Sequence, residues 1–208
     1  MKSALVIDDH PVVRAAVKLV LESERFKEIH EAANASEAMA LNREHKPKLV
    51  VLDLKLPGIS GLEVLERLKA NDPRCKVLIF TSQEPQYYQD RCLRAGAMGY
   101  VAKTNQLVQL HKAIQALMSG YSYFAAPSDK DYSSNPLYRS EKQMIDALSN
   151  RELNIFEQLA QGKANKLIAE DMHLSHKTVS TYKTRLMKKL NVKSSVHLRE
   201  FAKRNHLI

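Results

Sequence analysis

The first 120 residues alternate five times between a short apolar run and a longer amphipathic stretch. The runs that predict strands are Ala4–Ile7, Ile29–Ala32, Leu49–Leu52, Val77–Phe80 and Tyr100–Val101. The stretches with helical spacing are Pro11–Glu22, Ser36–Glu44, Gly61–Ala70, Tyr87–Ala95 and Gln106–Met118, with Ser36 expected as an N-cap and Gly96 as a helix end. Such alternation is typical of a parallel sheet covered by helices on both faces. We therefore predict an α/β fold with a doubly wound, five-stranded parallel sheet.

Polar side chains follow these predicted strands at their carboxyl ends. Asp8 and Asp9 follow the first strand, Asp53 the third, Thr81 the fourth and Lys103 the fifth. Each alone is explained as well by a helix cap or a surface position, but parallel strands bring all of them to one edge of the sheet. Clustered carboxylates repel one another, and a hard cation such as Mg²⁺ relieves that repulsion. The set predicts a Mg²⁺ site at which a carboxylate attacks a phosphoryl group.

The basic charge of the chain is concentrated near its C-terminus. The formal net charge is +9, and residues 145–208 carry 12 basic and six acidic side chains. A basic cluster is often only a solvated helix face, but this imbalance also suits a polyanionic partner. The eight histidines are scattered, and no pair has helical ligand spacing with a third ligand nearby, so no further metal site is predicted.

The segment between the two halves differs in composition. Gly120–Arg139 reads GYSYFAAPSDKDYSSNPLYR, which contains many turn-forming residues and no sustained periodicity. We interpret it as a linker between domains. The expected organisation is a domain at 1–120, a linker at 121–144 and a second domain at 145–208.

Four helices are predicted in the second domain. Ser149 and Glu152 form a capping box before the first helix, and Gly162 ends it. Asn165 opens the second helix, Ser175 caps a third that runs to about Leu190, and Ser194 or Ser195 starts the fourth. The second and third helices are short and about three residues apart, which is typical of a helix-turn-helix.

The third of these helices has two distinct faces. Val179, Leu186 and Leu190 are expected in the core, with Tyr182 beside them. The other face carries small polar residues and cations, namely Lys177, Ser180, Thr181, Thr184 and Lys188. Small polar side chains allow close approach to base edges and cations neutralise phosphates, so this face predicts insertion into the major groove of DNA. An ordinary surface helix is the alternative interpretation.

Residues 1–118 resemble the flavodoxin-like receiver domain of two-component response regulators. The matching segments are VIDDHP (Val6–Pro11), VVLDLKLPGISGLEVL (Val50–Leu65), IFTSQ (Ile79–Gln83) and AGAMGYVAK (Ala95–Lys103). The resemblance implies that a sensor histidine kinase phosphorylates Asp53. It also implies Mg²⁺ as cofactor, bound directly by Asp9, Asp53 and the carbonyl of Lys55 and through water by Asp8.

The same resemblance assigns roles to three further residues. Thr81 and Tyr100 match the pair whose hydroxyl and ring move when the domain is phosphorylated, and Lys103 matches the lysine that pairs with phosphoryl oxygens. The chain departs from many receivers after this lysine, because Thr104 stands where they have a cis proline. A cis bond without proline costs about 3–4 kcal/mol, so the conformation of this peptide stays open.

Leu148–Val192 resembles the LuxR/FixJ/NarL-type DNA-binding domain, through the segment LSNRELNIFEQLAQGKANKLIAEDMHLSHKTVSTYKTRLMKKLNV. By position the resemblance implies that base-reading residues are Ser180, Thr181 and Thr184. The implied phosphate contacts are Lys177, Thr178, Lys183, Arg185 and Lys188. The implied dimer contacts, which centre on the fourth helix, are Val192, Val196, Leu198 and Phe201. The segments GYxYF and KTVSTYKTRLMKKL are most similar to the BvgA/EvgA subgroup.

Together these features predict a cytoplasmic transcription regulator that is phosphorylated on Asp53 and then binds promoter DNA as a homodimer. RNA polymerase is a further candidate partner. The longest aliphatic runs have only four residues, which argues against a membrane-spanning helix. One alternative is an aspartate-nucleophile phosphohydrolase, which needs a second Asp where this chain has Lys55. Another is a DNA-binding protein whose receiver works without phosphate.

Overall fold

The fold was analysed in a computed structural model that describes residues 2–103, 107–124 and 136–208, without the side chains of 136–139. The chain divides into two compact units, Met1–Ala126 and Pro127–Ile208. The described residues contain no helix that is long and apolar enough to cross a membrane.

The first unit is built on five parallel strands. They are β1 (Ser3–Ile7), β2 (Glu28–Ala32), β3 (Leu49–Leu52), β4 (Lys76–Thr81) and β5 (Gly99–Ala102), and they are arranged in the order β2-β1-β3-β4-β5. The helices are α1 (Pro11–Ser23), α2 (Ala35–His45), α3 (Gly61–Asn71), α4 (Pro85–Arg94) and α5 (Leu107–Met118). Helix α1 packs against α5, while α2 packs against α3 and α3 against α4. The predicted α/β fold with a doubly wound sheet is confirmed.

Strand register determines which side chains meet at the carboxyl edge. Ile7 pairs with Leu52, Leu52 with Ile79, and Thr81 with Ala102. The strands β1, β3 and β4 are buried apart from one half-buried end residue, because hydrophobic side chains pack on both faces of the sheet. The polar residues that follow these strands therefore emerge side by side.

The start of α2 differs from the sequence-based expectation. Asn34, not Ser36, is the N-cap, and its side-chain oxygen accepts a hydrogen bond of 3.0 Å from the backbone N–H of Glu37. The Glu37 carboxylate in turn accepts a hydrogen bond of 2.8 Å from the backbone N–H of Ala33. Asn caps as well as Ser does, and Asn34 also has this reciprocal partner, so the helix begins earlier.

Gly61 allows the chain to pass very close to the backbone at the end of β3. Its N–H donates a hydrogen bond of 3.0 Å to the carbonyl oxygen of Leu54. A Cβ atom at this position would lie 2.3 Å from the carbonyl oxygen of Asp53 and 2.5 Å from Cα of Leu54. No side chain can move aside to relieve these backbone contacts, so the position requires glycine.

We expect Gly61→Ala to lower the free energy of unfolding of the first unit by about 1–3 kcal/mol, the usual cost of overpacking. Urea denaturation of the full chain measures it, with Gly162→Ala as control. Gly162 has a φ of +87° and nothing within 4 Å of its added Cβ, so that variant strains only the second unit. A Gly61→Ala variant whose first unit is as stable as that of the wild type would contradict this account of the loop.

The second unit is entirely helical in its described residues. Its helices are α6 (Pro136–Asp146), α7 (Asn150–Ala160), α8 (Asn165–Asp171), α9 (His176–Lys189) and α10 (Ser195–Arg204). The last four match the predicted helices, and the predicted caps Ser149, Ser175 and Ser194 each accept a hydrogen bond from the backbone of the first turn. The helix-turn-helix is formed by α8 and α9.

Helix α6 shows that part of the predicted linker at 121–144 is helical. Glu141 in α6 accepts hydrogen bonds of 2.6 Å from Arg204 and 2.7 Å from the buried side chain of Asn205. At the other end of the predicted linker, Tyr123 forms an isolated bridge with Gly99 of β5. Both ends are thus part of the folded units, and 125–135 lie outside the described residues.

The core of the second unit joins α7, α9 and α10. The ring of Phe156 in α7 meets that of Phe201 in α10 edge to face, with 6.1 Å between centroids. Lys189 at the end of α9 donates a hydrogen bond of 2.7 Å to Glu152, which also belongs to the capping box of α7. Burial alone raises the pKa of Glu152, but Lys189 and the N–H of Ser149 outweigh it and lower that pKa below its usual value.

Candidate functional site

Two buried carboxylates lie at the carboxyl edge of the sheet. Asp8 follows β1 and Asp53 follows β3, and each is only 2% exposed. The backbone N–H of Asp53 donates to the carbonyl of Ile7 at 2.9 Å, and that of Asp8 donates to Ala32 at 3.1 Å. These bonds continue the strand pairing by one residue and fix both carboxylates at this edge. Asp9 comes next in the chain and is exposed.

Lys103 lies between the two buried carboxylates. Its Nζ is 2.6 Å from Oδ2 of Asp8 and 2.6 Å from Oδ2 of Asp53. Its backbone N–H donates to the carbonyl of Thr81 at 2.7 Å, which continues the pairing of β4 with β5. Burial alone lowers the pKa of Lys103, but the carboxylates of Asp53 and Asp8 outweigh it and raise that pKa. The lysine is therefore a fixed positive charge beside Asp53.

Backbone N–H groups orient the carboxylates further. Oδ1 of Asp53 accepts a hydrogen bond of 3.1 Å from the N–H of Lys55, the residue expected to offer its carbonyl to a metal. Oδ1 of Asp8 accepts one of 2.9 Å from the N–H of His10. Each carboxylate thus has one oxygen held by the backbone and the other by Lys103.

His10 belongs to this site and was missed by the sequence-based reasoning. Its Nδ1 lies 2.6 Å from Oδ1 of Asp9, and ligand atoms of Asp8, Asp9 and His10 all lie within 4.8 Å of one another. The sequence could have indicated it, because His10 directly follows the two acidic residues Asp8 and Asp9.

The hydroxyl of Thr81 and the ring of Tyr100 are both buried at the same edge. Oγ1 of Thr81 accepts a hydrogen bond of 3.3 Å from the N–H of Gln83, and the hydroxyl of Tyr100 donates one of 2.8 Å to the carbonyl of Gln83. The Gln83 side chain also contacts the hydroxyl of Tyr88 in α4 at 3.2 Å. The loop after β4 therefore links the pocket to α4 and β5.

The acidic side chains of this pocket suit Mg²⁺, because the carboxylates of Asp8, Asp9 and Asp53 offer hard oxygen ligands. The predicted residues Asp8, Asp53, Thr81 and Lys103 are brought together, with Asp9 and Tyr100 adjacent. Thr104, and with it the Lys103–Thr104 peptide, lies outside the described residues. Such a pocket can present a carboxylate oxygen to a phosphoryl group beside a fixed cation.

A second candidate surface lies on α9. A concave region of about 360 Å³ is lined by Ser175, Lys177, Thr178, Thr181, Tyr182 and Arg185. Of the predicted DNA contacts, Ser180, Thr184 and Lys188 are also exposed, whereas Thr178 and Lys183 are half-buried. Val179, Leu186 and Leu190 are buried and Tyr182 is half-buried, as the sequence predicts.

Two threonines on this surface have their hydroxyl protons already engaged. Oγ1 of Thr181 donates to the carbonyl of Lys177 at 3.0 Å, and Oγ1 of Thr184 donates to that of Ser180 at 3.2 Å. These bonds leave the oxygen lone pairs and the methyl groups available to a ligand. Such side chains can accept a hydrogen bond from a base edge or contact a thymine methyl group.

The predicted dimer contacts divide into two groups. Leu198 and Phe201 are buried within one chain, at 0% and 2% exposed, so the prediction that they contact a partner is corrected. They lie on the apolar stripe by which α10 packs on α7. Val196 is 65% exposed, and Val192 is half-buried. Val192 and Val196 therefore remain the proposed dimer contacts.

Comparison with known families matches both units. Residues 4–115 match the response regulator receiver domain, and residues 146–202 match the bacterial regulatory proteins of the luxR family. The chain belongs to the response regulators that join a receiver to a LuxR-type DNA-binding domain.

Similar proteins have the same organisation along nearly their whole length. The virulence-factor transcription regulator BvgA of Bordetella pertussis is 45% identical over 203 residues, covering 98% of this chain and 97% of BvgA. The DNA-binding transcriptional activator EvgA of Escherichia coli is 35% identical over 205 residues, covering 99% of each. The predicted similarity to the BvgA/EvgA subgroup is confirmed.

Solved structures share the fold. One is RcsB of Salmonella enterica serovar Typhimurium bound to the promoter rprA in the presence of the phosphomimetic BeF₃⁻. It has a TM-score of 0.67 at 19% identity and covers 98% of each chain. Another is a LuxR-family response regulator of Aurantimonas, with a TM-score of 0.56 at 35% identity, which covers 60% of this chain and 89% of its own.

Proposed function

We propose that a sensor histidine kinase phosphorylates this response regulator on Asp53 and that the phosphorylated protein binds promoter DNA as a homodimer to regulate transcription. The observation that carries the proposal is the position of Lys103, 2.6 Å from the buried carboxylates of both Asp8 and Asp53. The transcription regulators to which the chain is similar support a regulatory rather than an enzymatic role.

The chemistry at Asp53 is a phosphoryl transfer. A carboxylate oxygen of Asp53 attacks phosphorus, a new O–P bond forms, and the N–P bond to the kinase histidine breaks, so that the histidine nitrogen keeps the electron pair. Lys103 exchanges its contact with Oδ2 of Asp53 for a phosphoryl oxygen and balances its charge. Asp8, Asp9, Asp53 and the Lys55 carbonyl would hold Mg²⁺. That ion, when bound, neutralises charge on the phosphoryl oxygens.

The loop after β4 transmits the conformational change that phosphorylation causes in the pocket. A phosphoryl oxygen on Asp53 offers the Thr81 hydroxyl a strong acceptor, and Thr81 already contacts the N–H of Gln83. The carbonyl of Gln83 holds the hydroxyl of Tyr100. A shift of Thr81 therefore biases the position of Tyr100 and the surface formed by α4, β5 and α5.

In the second unit, α9 reads the major groove. Ser180, Thr181 and Thr184 contact base edges, and the phosphate contacts come from Lys177, Thr178, Lys183, Arg185 and Lys188. Val192 and Val196 contribute to the dimer, and a dimer reads two half-sites one helical turn or a multiple of it apart. RNA polymerase is a further proposed partner, and the cytoplasm is the proposed location.

Two substitutions on α9 separate affinity from specificity. We expect Lys188→Ala to weaken binding similarly on all sequences. It should also reduce the magnitude of the slope of log binding constant against log salt concentration by about one, since one phosphate contact is lost. Thr181→Ala should instead change the preference at one base pair, by about 1–3 kcal/mol. Lys203→Ala removes an exposed cation from α10 and is the matched control. Fluorescence anisotropy against a panel of single-base variants over several salt concentrations measures both effects.

Selection from genomic DNA tests the proposed function as a whole. The full chain is treated with a small acyl phosphate and Mg²⁺, bound fragments are recovered, and the protected bases are footprinted. We expect a small set of promoter fragments with paired half-sites. Recovery of fragments in proportion to their abundance, with no common site, would contradict sequence-specific regulation.

A further inference from the structure

Three side chains with metal-binding atoms converge beside β2, far in sequence from one another. Glu28 and His30 lie two residues apart on β2, the edge strand of the sheet, so their side chains share one face. His45 is the last residue of α2, the helix that follows β2. Because α2 runs back along the sheet, its C-terminus returns to the beginning of the strand.

The distances within this group are those of a small coordination site. Oε1 of Glu28 lies 3.2 Å from Nε2 of His30 and 3.9 Å from Nδ1 of His45. The ligand atoms of all three residues lie within 4.8 Å of one another. Two ligand atoms that each lie about 2.0–2.2 Å from a tetrahedrally bound zinc ion are separated by a distance similar to the 3.2 Å between Glu28 and His30.

The group is accessible yet held in place. The side chains of His30 and His45 are 19% and 26% exposed, and that of Glu28 is 45% exposed. The two imidazole rings stack with 3.7 Å between centroids and 9° between planes. Solvent can therefore deliver an ion to three donors that the backbone already brings together.

The group is separate from the phosphoacceptor pocket. Glu28 pairs with Ser3, at the beginning of β1, whereas Asp8 follows the end of the same strand. The two places are thus at opposite ends of β1. Phosphorylation and DNA binding, as proposed above, use neither His30 nor His45.

We propose that Glu28, His30 and His45 form a binding site for a divalent transition metal, with zinc as the ion that suits it best. Two imidazoles and one carboxylate are a ligand set that zinc uses where it keeps an open fourth position. Two imidazoles also select against Mg²⁺, which takes oxygen ligands. On binding, the rings rotate out of their parallel stack so that one nitrogen lone pair from each points at the ion. The site does not depend on the proposed function.

Calorimetric titration tests the site in the full chain. Protein stripped of metal with a chelator is titrated with zinc chloride in excess Mg²⁺, which occupies the acidic pocket. The variants are His30→Gln, His45→Gln and Glu28→Gln. The matched control is His111→Gln, because Nε2 of His111 also lies beside a carboxylate, 2.6 Å from Oε1 of Glu24. Circular dichroism shows whether each variant is folded.

We expect one equivalent of zinc to bind to the wild type and to His111→Gln. Each of the other three variants should weaken binding by at least the roughly 10–100-fold that loss of a supporting partner costs a metal site. X-ray absorption of the zinc-loaded wild type, which needs no variant, should show two imidazole ligands. The proposal is overturned if the wild type binds no zinc, if His30→Gln and His45→Gln bind it as the wild type does, or if the bound zinc has no imidazole ligand.

Discussion

We expect Asp53→Asn to lose labelling by a radioactive acyl phosphate completely, whereas the wild type is labelled in the presence of Mg²⁺. The amide has nearly the size of the carboxylate and can still accept a hydrogen bond from Lys55, so the fold is retained. Its uncharged oxygen is a poor nucleophile and cannot form the acyl phosphate. Phosphate-affinity electrophoresis or scintillation counting measures the label.

Asp72→Asn is the matched control for this variant. Asp72 lies in the same unit after α3, and its Oδ1 accepts a hydrogen bond of 3.0 Å from the N–H of Arg74, which an amide oxygen can also accept. This control should be labelled as fast as the wild type. Equal labelling of Asp53→Asn and the wild type would show that another residue is the phosphoacceptor.

We expect Phe201→Ala to lower the free energy of unfolding of the second unit by about 3–5 kcal/mol, the usual cost of removing a buried aromatic side chain. The ring is 2% exposed and meets Phe156 edge to face, so its loss leaves a cavity between α7 and α10. A domain of this size has a total stability of about 5–15 kcal/mol, so much of it would be lost. Denaturant unfolding followed by circular dichroism measures the change.

Val196→Ala is the control, because Val196 is 65% exposed on the same helix. Its effect on unfolding should stay within about 0.5 kcal/mol, as for most surface substitutions. A Phe201→Ala variant that unfolds like the wild type at low concentration, and differs only in self-association, would restore Phe201 as a dimer contact.

The sheet and the phosphoacceptor pocket could be predicted because they follow from local patterns. Strands β1, β3, β4 and β5 are short, largely apolar runs, and each is followed closely by a polar residue. Parallel pairing then brings Asp8, Asp53 and Lys103 together without any knowledge of side-chain contacts. Val179 and Leu186 of α9 could be placed in the core for the same reason, since helical spacing alone separates the two faces.

Other features depend on contacts that no local pattern encodes. Helix α6 is held by Glu141 through Arg204 and Asn205, which are more than 60 residues away in the chain. Its sequence follows a run of turn-forming residues, and that composition led to the prediction of a linker. Phe201 has the same hydrophobicity whether it packs on its own chain or on a partner, so only the structure distinguishes the two.

The group at Glu28, His30 and His45 illustrates the same limit. Metal sites were expected from pairs at helical spacing, and His45 follows His30 by 15 residues, which matches no such pair. A strand followed by an antiparallel helix brings its first residues beside the last residues of that helix. The prediction that the chain has no further metal site was therefore based on local spacing alone.

In the proposed function, phosphorylation of Asp53 controls DNA binding. The most direct measurement is the affinity of the full chain for one selected promoter site, at fixed salt because phosphate contacts make affinity salt-dependent. Wild type and Asp53→Asn are each measured with and without acyl phosphate. We expect phosphorylation to tighten binding of the wild type by about 5–150-fold, the usual range of coupling between sites, and to leave Asp53→Asn unchanged. Equal affinity of the phosphorylated and unphosphorylated wild type would contradict the account.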